Sequence, residues 1–111
     1  MRTPVYSSQF KKDYKRCQKR GYIMQKLIDV MIDIENEVTL KPQQKEHPLS
    51  GDYIGGLECH IEPDWLFIYK IDDEIKEVYF ARTCTHSDLF WGIAKGIMMI
   101  EWHVLQWDLQ V

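Results

Sequence analysis

The chain has 111 residues, of which 45% are hydrophobic and 28% are charged, and its formal net charge is −3 at pH 7. This length and composition fit one folded domain and exclude a disordered chain, and no segment is long and apolar enough to span a membrane. The charge is uneven, since residues 1–50 are net basic and residues 51–111 are net acidic.

A short strand and two helices are predicted for the first part of the chain. Residues 3–6 can form the strand, and Ser7 or Ser8 is a candidate N-cap for the helix that follows. The apolar stripe of the first helix is Phe10, Tyr14 and Cys17, and that of the second is Leu27, Met31, Ile34 and Val38. Gly21 is placed to end the first helix. The link is short, so we expect the two helices to be antiparallel neighbours.

The other face of the first helix is strongly basic. Its cations are Lys11, Lys12, Lys15, Arg16, Lys19 and Arg20. On charge alone, the favoured interpretation is a solvated helix face. The alternative is a surface that attracts the phosphates of a nucleic acid, even though the total charge of the chain is negative.

A loop and three strands are predicted next. The loop covers residues 41–51 and contains His47-Pro48, and the strands lie at about residues 57–61, 65–71 and 75–83. The nearly continuous apolar run at residues 65–71 is typical of a central strand. The sequence therefore predicts an α+β fold of order β-α-α-β-β-β, in which two helices cover one face of an antiparallel sheet.

The last residues form a separate segment in the sequence. Apolar side chains recur there at helical spacing, at Ile93, Ile97, Ile100, Val104 and Trp107. An additional amphipathic helix, packed on the core or on a second subunit, is the favoured interpretation. We therefore predict a domain at residues 1–90 and an extension at residues 91–111.

Strand alternation predicts which side chains can meet. Glu58 and His60 share one face of their strand, whereas Cys59 lies on the other face with the apolar Leu57 and Ile61. The apolar face is expected to meet the core, so Glu58 and His60 point away from it. Asp64 follows in the next turn, and Arg82 and His86 end the last strand.

These residue types suit metal-free cleavage of RNA. A base removes the proton of the ribose 2′-hydroxyl, the oxygen attacks the adjacent phosphorus, and an acid protonates the leaving 5′-oxygen. Imidazole suits both steps because its reference pKa of about 6.5 lies near neutral pH, and a cation stabilises the growing negative charge. The candidates for these roles are His47, His60, Asp64, Arg82 and His86. Each histidine alone is more often surface or core filler.

Cysteine chemistry is a weaker alternative. Cys17, Cys59 and Cys84 match no disulfide framework, which favours a reducing cytoplasm, and the N-terminus has no apolar core of a signal peptide. A zinc site from Cys59, His60, Cys84 and His86 is disfavoured, because adjacent strand residues point to opposite faces and no Cys-x-x-Cys pair is present. Cys84 and Ser87 lack the context of a nucleophile.

A set of ordered motifs resembles the YafQ group of the RelE/ParE superfamily, the toxin half of bacterial type II toxin–antitoxin modules. The motifs are Leu40-Lys41-Pro42, His47-Pro48-Leu49-Ser50-Gly51, Glu58-Cys59-His60-Ile61-Glu62-Pro63-Asp64-Trp65-Leu66-Phe67-Ile68-Tyr69-Lys70, Arg82-Thr83 and Thr85-His86-Ser87-Asp88-Leu89-Phe90. The resemblance covers about residues 3–90. It implies two helices on an antiparallel sheet, and an mRNA interferase that cuts messenger RNA in the ribosomal A site without a metal or other cofactor.

The resemblance also implies roles for individual residues. His86 corresponds to a general acid, and His60 acting with Asp64 to the base, with His47 as the rival. Arg82 is the candidate phosphate contact and Phe90 an aromatic near the scissile bond. The remaining RNA-binding candidates are Glu58 together with Lys11, Lys12, Lys15, Arg16 and Lys19.

The partners implied by the resemblance are a cognate antitoxin, the ribosome with its mRNA, and operator DNA bound only by the toxin–antitoxin complex. The location implied is the bacterial cytoplasm, with no membrane attachment. Two features depart from the family pattern: Cys84 replaces a glycine, whose loss matters if that position needs a positive φ, and residues 91–111 extend beyond the usual end. Both leave open a degenerate toxin that binds antitoxin and operator DNA without cutting RNA.

Overall fold

The computed structural model describes residues 1–49, 55–85 and 87–88. The predicted extension and two candidate site residues, His86 and Phe90, lie outside the described residues. The strands are β1 (Thr3–Tyr6), β2 (His47–Pro48), β3 (Leu57–Glu62), β4 (Trp65–Asp72) and β5 (Glu77–Cys84), and the helices are α1 (Ser8–Lys19) and α2 (Met24–Glu35), with a 3-10 turn at Pro42–Gln44. No helix in this part of the chain is long and apolar enough to cross a membrane.

Both ends of α1 follow the predicted signals. Ser7 is the N-cap, and its side-chain oxygen accepts a hydrogen bond from the Phe10 N–H at 2.8 Å. At the other end Gly21 has a φ of 81°, a left-handed conformation that glycine adopts without strain. The Tyr22 N–H donates to the Cys17 carbonyl at 3.1 Å, so the chain turns sharply into α2.

The five strands form one mixed sheet of order β1-β5-β4-β3-β2. The prediction of a purely antiparallel sheet is wrong at one edge, because β1 pairs with β5 in parallel, from Thr3 opposite Glu77 to Tyr6 opposite Phe80. The prediction of a loop at residues 41–51 is also incomplete. His47 and Pro48 form an edge strand on β3, where a proline without an N–H is tolerated.

The core lies between the helices and one face of the sheet. Its buried members are Phe10, Cys17, Leu27, Val30, Met31, Ile34, Cys59, Trp65, Phe67, Tyr69, Val78 and Phe80. Four aromatic rings of this core, those of Phe10, Phe67, Tyr69 and Phe80, pack against one another. The ring centroids of Phe10 and Phe67 are 5.9 Å apart. The prediction that Val38 lies on the buried stripe of α2 is wrong, because Val38 is 51% exposed. The helix α2 ends at Glu35, before Val38, and Glu37 with a φ of 62° then turns the chain.

The middle strands are also buried on their second face. Leu66, Ile68, Ala81 and Cys84 are each no more than 1% exposed, yet none belongs to the helix-side cluster. Leu66 and Ile68 alternate along β4 with the core residues Trp65, Phe67 and Tyr69, and Cys84 of β5 pairs with Leu66 across the sheet. The apolar run of β4 therefore reflects a strand that is covered on both faces. Its central position in the sheet is as predicted.

Candidate functional site

Two imidazoles and one carboxylate meet on neighbouring strands at one edge of the sheet. Glu58 of β3 pairs with His47 of β2, and His60 lies two residues further along β3 on the same face. Glu58 Oε1 is 3.2 Å from His47 Nε2 and 3.9 Å from His60 Nε2. The ring centroids of the two histidines are 6.4 Å apart. The structure therefore brings these three predicted residues together.

Exposure differs across this cluster, which we call the His–Glu–His cluster. The side chain of His47 is 48% exposed, that of His60 19% and that of Glu58 11%. Glu58 is thus the covered centre, and His47 is the open side that a ligand can reach. Cys59 lies between Glu58 and His60 in sequence but is fully buried in the core, as strand alternation predicted.

A partly buried hydrogen bond connects the core to the strand that carries His47. The Tyr69 hydroxyl, deep in the core, donates to the Glu46 carboxylate, which directly precedes His47. Burial raises the pKa of the Tyr69 hydroxyl, and the neighbouring Cys59 and Glu46 raise it further. Further along, the Leu49 N–H donates to the Gly56 carbonyl at 2.9 Å. No pattern in the sequence indicates that Tyr69 holds this edge of the sheet.

Asp64 lies in the exposed turn between β3 and β4, beside the cluster in sequence. The pairing shifts between His60 and Glu62, with His60 opposite Leu66 and Glu62 opposite Trp65. His60 Nδ1 is 3.4 Å from the carbonyl oxygen of Pro63 in the same turn. The turn thus contacts the ring of His60, and it places Asp64 at the same end of β3.

Arg82 is buried in an ion pair that sequence reasoning missed. Its Nε lies 2.5 Å from Asp13 Oδ2, and the side chains of Arg82 and Asp13 are only 5% and 0% exposed. Asp13 also accepts from the Arg16 guanidinium at 2.7 Å and from the Thr83 N–H at 3.3 Å. The sequence does indicate that Asp13 is buried, because it lies on the apolar stripe of α1 with Phe10 and Cys17.

The segment around His86 begins with a reciprocal cap. The Thr85 N–H donates to the Asp88 carboxylate at 3.1 Å, and the Asp88 N–H donates to Thr85 Oγ1 at 3.1 Å. Arg20, at the end of α1, holds Asp88 with two hydrogen bonds of 2.9 and 3.1 Å. Desolvation raises the pKa of the Asp88 carboxyl, but the bonds from Arg20 and Thr85 outweigh it and keep that pKa well below its usual range.

The cysteines take no part in this site. All three are free and buried, and burial raises the pKa of the Cys59 and Cys84 thiols to about 12. Neither is a thiolate at neutral pH, so neither is a ready nucleophile or metal ligand. The positive-φ residues other than glycine in the described part are Glu37, Lys45 and Lys76. Cys84 is not among them, so its Cβ fits an ordinary strand position.

The basic side of α1 separates into two groups. Lys11, Lys12, Lys15 and Lys19 are exposed. Arg16 and Arg20 instead pair with Asp88, at 3.6 and 2.9 Å. Beside the lysines, a groove of about 600 Å³ runs between α1 and α2, with Phe10 and Met31 among its apolar lining residues and Lys11 and Lys15 among its charged ones.

Comparisons with known proteins agree on one family. The family model described as "Bacterial toxin of type II toxin-antitoxin system, YafQ" matches residues 2–91. The mRNA interferase toxin YafQ of Escherichia coli (strain K12) is 44% identical over 86 residues, which are 77% of this chain and 91% of that protein.

Solved structures with the same fold include a complex and a metal-bound form. The E. coli DinJ-YafQ complex is matched with a TM-score of 0.74 and 44% identity, over 81% of this chain and 99% of that one. A metal-bound toxin from Helicobacter pylori is matched with a TM-score of 0.75 and 35% identity, over 80% of this chain and 99% of that one.

Proposed function

Because the chain belongs to the YafQ family of toxins of bacterial type II toxin–antitoxin systems, we propose that it is a ribosome-dependent mRNA endoribonuclease that inhibits translation. The observation that carries the proposal is the His–Glu–His cluster, with Glu58 Oε1 3.2 Å and 3.9 Å from two imidazole nitrogens. A carboxylate between two imidazoles fixes the orientation of their rings, which proton transfer at a defined atom requires.

The base of the proposed reaction acts on the ribose 2′-hydroxyl. His60 takes this role together with Asp64, whose turn contacts the His60 ring, and His47 is the rival because it is the more exposed imidazole. Glu58 positions both rings. The deprotonated 2′-oxygen attacks the adjacent phosphorus and forms the new P–O bond, while the bond to the 5′-oxygen breaks.

The leaving 5′-oxygen takes its proton from His86, which follows directly after Thr85 of the capped segment. Arg82 is the proposed cation for the phosphate, a role that requires its guanidinium to leave its buried ion pair with Asp13. Phe90 is the proposed aromatic contact to the RNA. These groups supply a base, an acid and a positive charge, so the proposal includes no metal or other cofactor.

The proposed partners follow from the family and from the surface of α1. A cognate antitoxin is one, since a YafQ of 44% identity has been solved as a DinJ-YafQ complex. The exposed Lys11, Lys12, Lys15 and Lys19 form the proposed contact with ribosomal RNA. Operator DNA is bound by the toxin–antitoxin complex. The proposed location is the bacterial cytoplasm, where ribosomes and their mRNA are found.

The test is primer extension on mRNA bound to programmed ribosomes, with the full chain and two variants in parallel. We expect A-site cleavage by the full chain, and a loss of about 10²- to 10⁴-fold in His86→Ala, the usual contribution of a general acid. Glu62→Gln is the matched control, because Glu62 lies on β3 but pairs with Lys26. Full activity in a folded His86→Ala protein would refute the assignment of the acid.

A catalytically degenerate toxin is the second candidate, and the extension at residues 91–111 favours it, since the family model ends at residue 91. Such a protein binds antitoxin and operator DNA without cutting RNA. Cleavage that appears only after truncation behind Phe90 would support this candidate. Cleavage by the full chain would exclude it.

A further inference from the structure

We propose that the His–Glu–His cluster is also an inhibitory binding site for a divalent transition-metal ion such as Zn²⁺ or Cu²⁺. The inference rests on the proposed function in one respect only, since the ion would occupy atoms assigned to proton transfer. Binding itself is independent of RNA cleavage. The structure supplies three potential ligands in the described part of the chain: His47 Nε2, Glu58 Oε1 and His60 Nε2.

The distances suit a metal ion. The three candidate ligand atoms all lie within 4.8 Å of one another, and the carboxylate oxygen is 3.2 and 3.9 Å from the two nitrogens. Zinc binds nitrogen and oxygen ligands at about 2.0–2.2 Å, which places tetrahedral ligands about 3.3–3.5 Å apart. The two measured distances bracket that range. His47 is exposed on a two-residue edge strand, so its ring is free to turn towards the ion.

The chemistry of the ligands selects the class of ion. Imidazole suits Zn²⁺, Cu²⁺ and Ni²⁺, whereas Mg²⁺ and Ca²⁺ prefer sites made only of oxygen. Three protein ligands with one open side leave a coordination position for water, as in sites of the two-histidine, one-carboxylate type. The 48% exposure of His47 provides that open side.

Two further observations support the site. Glu58 is held in place, being only 11% exposed and paired through the backbone with His47, so this ligand needs little ordering. A structural neighbour with 35% identity and a TM-score of 0.75 is a metal-bound toxin. This second observation shows that the fold can accept a metal ion.

The consequence is inhibition. A nitrogen that donates its lone pair to a metal cannot accept a proton from the ribose 2′-hydroxyl. A bound ion also fixes Glu58, which then no longer orients a free imidazole. The toxin would therefore be active without the ion and inactive with it, so the supply of a transition metal would set how much toxin can cut.

The binding test uses isothermal titration of the full chain with Zn²⁺, and with Mg²⁺ as the comparison ion. We expect one zinc per chain and no binding of magnesium at the same concentration. His47→Ala and Glu58→Gln should each weaken zinc binding by about tenfold or more. Glu62→Gln and His103→Ala, which remove a carboxylate and an imidazole elsewhere in the sequence, should bind zinc as the parent does. Circular dichroism checks that each variant is folded.

The activity test compares the metal-free chain with the same chain preloaded with one equivalent of Zn²⁺, in the primer extension assay. We expect the preloaded chain to lose cleavage and a chelator to restore it. Zinc binding that persists in both ligand variants would overturn the site. Cleavage that is unchanged or increased by stoichiometric zinc would overturn the inhibition. A chain that binds zinc at this site but never cuts RNA would refute the proposed function and leave the metal site standing.

Discussion

At the scale of single residues, Asp88 links the end of α1 to the segment that contains His86. Its carboxylate accepts from the Thr85 N–H and from both terminal nitrogens of Arg20. The bonds from Arg20 join residues that are 68 positions apart in the sequence. We therefore infer that Asp88 positions the segment that carries the proposed general acid.

We predict that Asp88→Asn lowers both stability and cleavage. A lost cap of this kind costs about 1–2 kcal/mol at neutral pH. Because the folded-state pKa of Asp88 is below the unfolded value of about 3.9, its contribution is present above that value and is lost as pH falls towards the folded-state pKa. The difference between parent and variant in the free energy of urea unfolding should thus shrink as the pH is lowered from 7 to about 2.

The control for this prediction is Asp29→Asn, which changes the same charge on the exposed part of α2, where Asp29 accepts only from Gln25 among the bonds described. It should leave both the stability and the cleavage rate near the parent values. A constant gap between parent and Asp88→Asn across the acid range would contradict the role given to the carboxylate.

The buried ion pair of Asp13 and Arg82 could be predicted only in part from the sequence. Arg82 is predicted near the site from its place at the end of the last strand, and in the structure its guanidinium is buried against Asp13. The only sign of its partner is that Asp13, a charged residue, lies on the buried stripe of α1 with Phe10 and Cys17. Nothing in the spacing says which cation, 69 positions away, meets that charge, because the pairing depends on how α1 packs against β5.

At the scale of elements, the helices and the long strands were predictable and the sheet edges were not. The α1 bounds follow from Ser7 and Gly21, and β4 from its apolar run. Two residues, as in β2, are too few to show an alternating pattern, so His47–Pro48 could only look like a loop. The parallel pairing of β1 with β5 joins the two ends of the domain, and a local pattern contains no information about such a contact.

We predict that the Tyr69 hydroxyl positions β2 and therefore His47. Tyr69→Phe removes the bond to Glu46 and keeps the ring in the core, so it should cost about 1 kcal/mol of stability. Because β2 is then no longer hydrogen-bonded to the core through Glu46, His47 is less well positioned. Zinc affinity should therefore fall several-fold, and the cleavage rate should fall with it. Denaturant unfolding and zinc titration of the same sample measure the two effects.

The matched control is Tyr14→Phe, which removes a tyrosine hydroxyl from α1, on the far side of the core from β2. It should leave zinc affinity unchanged. A Tyr69→Phe protein that loses stability but keeps both zinc affinity and cleavage would show that the hydroxyl serves the fold alone.

At the scale of the whole molecule, the question is how the extension at residues 91–111 relates to the family domain. Among the described residues, the members of the helix-side core lie between Phe10 and Phe80, and the described strands end at Cys84. The described members of this core therefore all belong to residues 1–90. The second face of the sheet is different, because Leu66, Ile68, Ala81 and Cys84 are buried there without belonging to that cluster.

We predict that a chain truncated behind Phe90 folds and cuts ribosome-bound mRNA at least as fast as the full chain. The extension has apolar residues at helical spacing, and we expect it to cover the second face of the sheet, to which Glu58 and His60 also belong by strand alternation. Truncation should then make the Cys84 thiol reactive to a thiol reagent. Cys17 and Cys59, in the helix-side core, should stay protected and serve as internal controls. Equal protection of all three thiols with unchanged cleavage would show that the extension packs away from this face, and a truncated chain that cannot fold would show that residues 1–90 are not an independent domain.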